Sequence, residues 1–169
     1  GIDASLNYRL QTDQQGEFRF NVGYSHTLGE KSAEFTEDPV LDFRDSLQNF
    51  NFRSRLRGSV NWSIGNWSNT LFATRSGSLP NWAETGRIGS HTKVNFTSQY
   101  RLTDNISFTA VLNNAFNQQP PKDPTFDVYP YFSSGNYDPY GREFAFEIER
   151  RNHRAHNDKH SNSCHNQTK

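Results

Sequence analysis

Seven separate stretches of this chain alternate apolar and polar residues with a period of two. The clearest runs from Asn105 to Leu112, where Ile106, Phe108, Ala110 and Leu112 fall on one side and Ser107, Thr109, Val111 and Asn113 on the other. Successive side chains of a strand point to opposite faces, so each such segment has one apolar and one polar face. The chain is therefore expected to be all-β. Its function turns on whether the apolar face meets a protein core or lipid.

Composition narrows that choice. Only 32% of residues are hydrophobic, the mean hydropathy is −0.94, and no run approaches the roughly 18 apolar residues of a membrane helix. A spanning sheet remains open, because a strand with lipid on one side needs only about half its residues apolar. The 14% share of aromatics suits the interfacial girdles of such barrels, and equally suits an aromatic-rich soluble domain. The lone Cys164 excludes an internal disulfide and leaves an oxidising compartment open.

The pattern predicts a meander. A first strand covers about Ile2–Leu10, with Ile2, Ala4, Leu6, Tyr8 and Leu10 on one face. The turn 11–16 leads to a second strand, about Glu17–Leu28, with Phe18, Phe20, Val22 and Tyr24 together. A long polar stretch ends at a third strand, about Arg53–Ile64, which groups Leu56, Val60, Trp62 and Ile64 opposite Arg53, Arg55 and Arg57. Gly65-Asn66 makes a tight hairpin turn. The fourth strand, Trp67 to about Arg75, is the least regular, since Trp67, Leu71 and Ala73 oppose Phe72. The loop 76–90 precedes a fifth strand carrying Val94, Phe96 and Tyr100. A short turn at Thr103-Asp104 precedes the sixth strand, Asn105–Asn114. The aromatic loop 115–140 then enters a last strand, Gly141 to about Glu149, with Phe144, Phe146 and Ile148 on one face and Glu143, Glu147 and Glu149 on the other.

Loop lengths favour lipid. Connections are short after the first, third and fifth strands and long after the second, fourth and sixth. Outer-membrane barrels have short periplasmic turns and long extracellular loops, whereas a soluble sandwich has no reason to gather its long loops at one end. An Arg facing lipid at the midplane costs roughly 2–4 kcal/mol. Arg53, Arg55 and Arg57, like Arg19, Asn21, Lys93, Asn95, Thr97 and Gln99, are therefore assigned to the lumen. The solvated face of a soluble sheet is the alternative.

Two segments carry a family resemblance. Val111-Leu112-Asn113-Asn114-Ala115-Phe116-Asn117 with Pro120 and Pro121, followed by Tyr137-Asp138-Pro139-Tyr140-Gly141-Arg142-Glu143-Phe144, resembles the C-terminal end of TonB-dependent outer-membrane receptors. In that family the penultimate strand ends in a motif like Asn-Asn-Leu-Phe-Asp, and the last extracellular loop often closes with Asp-Pro-x-Gly-Arg before an aromatic final strand. Gly1-Ile2-Asp3 and the paired tryptophans Trp62 and Trp67 look like features of the later barrel strands.

The resemblance implies residues 1–149 are the last seven strands of a transmembrane β-barrel of about 22 strands with a plug in its lumen. It also implies a bacterial outer-membrane location and uptake of a scarce ligand (an iron chelate, cobalamin or an oligosaccharide). The implied partners are outer-membrane lipid, the ligand, and a plug domain and TonB acting through an N-terminal part outside this chain. A chain that begins at Gly1, holds no Met and enters a strand at once is expected to be preceded by more protein. It also departs from the family, which usually ends on an aromatic residue: residues 150–169 form a polar, His-rich tail, predicted to be disordered. Within that tail His153, His156, His160, Cys164 and His165 have spacings that suit zinc or nickel. With no core to preorganise them, we assign no metal site and no cofactor.

No Gly-rich phosphate loop, Ser nucleophile elbow or His-Glu-x-x-His motif occurs, and the chain is not read as an enzyme. Its 18 basic and 18 acidic residues form no basic face, so nucleic acid is not an expected partner. His26 and His91 are read as polar rim positions, and the acidic run Glu30–Asp45 as a solvated loop. Ligand contact is expected from Trp82, Tyr129, Tyr131, Phe132 and Tyr137 in the loops and from the lumen-facing Arg53 and Arg55. Aromatic faces stack on rings and guanidinium groups pair with anions; the same aromatics could instead pack loop against loop. A soluble carbohydrate-binding β-sandwich and a passive porin- or adhesin-like barrel are the competing functions.

Overall fold

The computed structural model describes residues 1–33, 35–47 and 52–151. The tail residues from Asn152 onward, with their His and Cys cluster, lie outside the described residues. Seven long strands form one sheet: β1 (Ile2–Thr12), β2 (Gly16–His26), β5 (Ser54–Ile64), β6 (Trp67–Ser76), β9 (His91–Thr103), β10 (Ile106–Asn113) and β11 (Glu143–Arg150). Every neighbouring pair is antiparallel and the order follows the chain, as an up-and-down meander requires. Two small hairpins, β3 (Lys31–Ser32) with β4 (Leu41–Asp42) and β7 (Leu79–Pro80) with β8 (Arg87–Ile88), lie inside long connections.

The register joins the seven apolar faces into one surface. Tyr8, Phe20, Val60, Leu71, Phe96, Leu112 and Phe144 are successive cross-strand partners. Another row links Ile64, Trp67, Tyr100, Phe108 and Ile148. None of these side chains is buried, and others on the same face stand fully in the open, Leu6 at 62% and Phe146 at 82% exposed. A sandwich would need a second sheet over this face, and none exists among the described residues. Phe72, the residue that blurs the fourth strand in the sequence, pairs with Ser59 and Asn95 on the polar face.

That polar face is tied by cross-strand hydrogen bonds. Asn61 Nδ2 donates to Thr70 Oγ1 at 2.8 Å and Asn21 Nδ2 to Ser59 Oγ at 3.2 Å. Glu17 takes Arg9 at 2.6 Å and also pairs with Arg19. The apolar face has few polar intrusions. One is Asn69 with Ser98, whose hydroxyl donates to Asn69 Oδ1 at 2.7 Å, so neither group is left unpaired against an apolar medium.

The 11-residue β5 is about 36 Å long, which at a tilt near 45° spans roughly 25 Å, the height of a barrel's apolar band. The short turns fall at 13–15, 65–66 and 104–105. The last lies one residue later than the sequence suggests, because a bulge at Leu102 shifts the β9–β10 register. All three long connections leave from the opposite end.

Candidate functional site

The long connections 27–53, 77–90 and 114–142 pack against one another as a cap over the sheet's loop end. Its core is Phe52 from the first, Leu79 from the second, and Phe132 and Tyr137 from the third, with Leu47 at the margin. Leu79 is completely buried. Phe52 and Phe132 meet the Tyr137 ring edge-on, at 5.5 and 6.4 Å between centroids.

Polar staples hold the three loops in this arrangement. Asp123 accepts the backbone N–H of Trp82 at 2.7 Å, and the N–H and hydroxyl of Thr125 at 2.8 and 2.7 Å. Burial pushes its carboxyl up, but the hydrogen bonds from Thr125 and Trp82 outweigh that and leave it below the ordinary carboxylate value. Glu84 accepts the hydroxyl of Ser46 at 3.0 Å and the N–H of Leu47 at 2.7 Å. Arg87 reaches Asp45 and the carbonyl oxygens of Arg44 and Ser78. The acidic run of the first loop is thus partly neutralised from within: Asp42 and Asp45 face Arg44, and Asp45 also faces Arg87.

The two family-like segments meet at the root of the third loop. Asn114 and Asn117 take left-handed backbone conformations, with φ of 48° and 51°. Asn114 is buried, its side chain closing on Gln118 with bonds of 2.8 and 3.0 Å. Asn117 Oδ1 accepts the backbone N–H of Arg142 at 3.0 Å. A Cβ on Gly141 would sit 2.7 Å from that oxygen, so a larger residue there would have to displace the Asn117 side chain. Asp138, held below the ordinary carboxylate range chiefly by a 2.7 Å bond from Lys93, fixes the loop to β9.

The structure divides the seven sequence-derived candidates. Phe132 and Tyr137 are 7% and 4% exposed; they hold the loops together and offer no free face to a ligand. Burial pushes the Tyr137 hydroxyl up to about 12. Trp82, Tyr129 and Tyr131 are exposed, and Lys122 lies 6.0 Å from the Tyr131 ring centre. Tyr131 lines a surface recess of about 540 Å³ with Lys122, Asp123, Phe126 and Asp127; Trp82 meets Phe126 edge-on at 5.2 Å and Tyr129 meets Tyr131 at 6.1 Å. His91, expected on the rim, is instead 8% exposed beneath the cap, edge-on to Tyr137 at 5.7 Å.

Arg55 sits under the cap on the polar face, its guanidinium 5.3 Å from the Phe52 ring. Arg57, which the sequence places in the lumen without a ligand role, lies beside it. The pair lines a recess of about 310 Å³ with Phe52, Thr74, Gly135 and Asn136. The same pair borders another of about 490 Å³ with Asp3, Ser5, Gly23 and Ser25. Gly23 faces both Ser5 and Arg57 in the register, and leaves open space where a side chain would stand. Neither arginine has a carboxylate partner among the described residues. Arg53 is exposed at the strand's loop end and lines neither recess. The alternation of arginines was the available signal for Arg57; nothing in the sequence marks Gly23.

No family model and no curated protein matches this chain. A solved structure that does is the ferric enterobactin receptor (PfeA) of Pseudomonas aeruginosa, in a mutant form, with a TM-score of 0.60 at 15% identity. The likeness covers 86% of this chain and 21% of the receptor, so the chain spans about a fifth of that protein's length. At this identity the likeness is one of fold: the seven-stranded sheet and its loops are built as a section of such a receptor's β-barrel.

Proposed function

We propose that this chain forms the last seven strands of a TonB-dependent outer-membrane receptor, which takes up a scarce ligand with energy supplied through TonB. The observation that carries the reading is the contrast between the sheet's two faces. One is mainly apolar and uncovered, the other mainly polar, and all the long loops lie at one end. A sheet with two open edges, β1 and β11, cannot seal a membrane by itself. The remaining strands, a plug in the lumen and the segment that engages TonB then belong to the rest of the protein.

Arg55 and Arg57 under the cap, with Trp82, Tyr129 and Tyr131 above, favour an anionic ligand with planar groups. Among iron chelates, cobalamin and oligosaccharides, this puts ferric chelates first, in keeping with the ferric enterobactin receptor whose fold the chain shares. Uptake of radiolabelled ferric chelate by cells making the complete protein tests the reading. Uptake should stop when a protonophore collapses the inner-membrane gradient and fall with Arg55→Ala. Uptake that ignores the protonophore would indicate a passive pore instead.

A further inference from the structure

Among the described residues two arginines fall on the apolar face, Arg150 at the short-turn end of β11 and Arg75 at the loop end of β6, where Arg75 also borders the recess beneath the cap. Arg75 pairs across the sheet with Leu56 on one side and Thr92 on the other, in the row that begins Ala4, Tyr24 and Leu56. By parity it points with Leu71 and Ala73, away from Arg55 and Arg57. It is exposed and has no carboxylate partner among the described residues; its Nη2 donates to Ser90 Oγ at 3.0 Å.

Register fixes its height. Trp67 and Tyr100 pack at 4.7 Å, and Phe18 stacks on Trp62 at 6.1 Å, at the short-turn end of the same face. The Trp62 indole N–H donates to the Gln15 carbonyl oxygen at 2.7 Å. These side chains have the character of an interfacial belt. From Trp67 to Arg75 along β6 is about 26 Å, or roughly 20 Å of height at a tilt near 40°. Arg75 therefore stands close to the opposite boundary of the apolar band. Tyr24 and His26 mark the same rim, with the phenol oxygen 3.1 Å from the imidazole Nδ1.

Resting on the barrel reading above, we propose that Arg75 is a headgroup anchor. Its guanidinium binds the phosphate of a lipid in the loop-side leaflet, whose acyl chains lie on Leu56, Ala73 and Leu71. A planar fork of donors matches phosphate oxygens two at a time. The Ser90 contact turns the head toward the loops and leaves other guanidinium N–H groups free to donate. Lipid is the occupant because the surroundings are apolar on the membrane side; free phosphate would gain nothing from Leu56 and Leu71.

Native mass spectrometry of the intact barrel in phosphatidylglycerol-doped detergent reads the site directly. The expected result is about tenfold weaker retention of one lipid in Arg75→Ala, the loss of a charge-assisted bond, with Arg75→Lys in between. Arg101→Ala, on the polar face, should match the parent. Excess inorganic phosphate should displace no lipid; displacement would assign the site to free phosphate and overturn the proposal. Brominated-lipid quenching of Trp67 in the same samples separates two failures. Equal retention in Arg75→Ala with Trp67 quenched overturns the anchor and leaves the barrel; no quenching in any variant overturns both.

Discussion

The wall and the cap of this molecule are built on opposite principles. In the seven-stranded sheet scarcely any side chain is buried, and large apolar groups such as Leu6, Leu71 and Phe146 stand in the open. In the cap Leu79, Phe52, Ile88, Phe132 and Tyr137 are buried, and these are the buried hydrophobics among the described residues. A protein that placed its core in its loops and left its sheet bare would be unstable in water, since apolar burial is the main favourable term in folding. The contrast makes sense when lipid covers one face of the wall and the lumen's contents the other, while the cap, surrounded by water, must supply its own core.

Substitutions separate the two regions. Phe132→Ala should cost about 3–5 kcal/mol, confined to the cap. Hydrogen exchange should quicken across 77–90 and 114–142 and stay slow in β5 and β6; equal acceleration in the wall would show that the two regions unfold as one. Leu71→Arg in the wall should cost roughly 2–4 kcal/mol in vesicles, while its neighbour Thr70→Arg, pointing into the lumen, should cost little. Denaturant titration in lipid gives both values, and equal costs would erase the assignment of faces.

Acid and alkali probe the cap in turn. Asp123 titrates below its ordinary value of 3.8 when folded. Its contribution is complete above that value and is lost as pH falls through the lower folded value. Tyr137 is raised from 10.0 to about 12, so its contribution is complete below pH 10 and fades as pH rises toward 12. Protection of the cap amides, corrected for the intrinsic pH dependence of exchange, should therefore fall below about pH 4 and above about pH 10 and be flat between; Asp123→Asn should shrink the acid limb and leave the share of Asp138. The smallest effect belongs to the exposed Trp82. Its replacement by Ala should change stability by less than about 1 kcal/mol and weaken binding of a ferric chelate by about 1 kcal/mol, both measurable by calorimetry.

Wall and cap also differ in how far the sequence reveals them. Period-two alternation is local, so Ile106–Leu112 announces its faces unaided, and the seven strands and the short turns were readable to within about two residues, the margin at which boundaries normally blur. The cap depends on contacts between residues such as Phe52, Leu79 and Phe132, far apart in the chain and unmarked by any period. The hairpins β3–β4 and β7–β8 have two residues per strand, too few to alternate. For the same reason Phe132, Tyr137 and His91 read as free polar or aromatic rim groups in the sequence and are buried in the structure. The arginine alternation pointed to the recess beneath the cap, whereas the space left by Gly23 appears only once β1, β2 and β5 are in register.

The three tryptophans of the chain allow the most direct test. Trp62 and Trp67 lie on the apolar face of the wall and Trp82 on the cap. In single-tryptophan versions of the complete protein in brominated-lipid vesicles, Trp62 and Trp67 should be quenched by the lipid and shielded from aqueous iodide, and Trp82 should show the reverse. Iodide quenching of all three alike would mean that the apolar face meets water or protein, and would contradict the barrel wall.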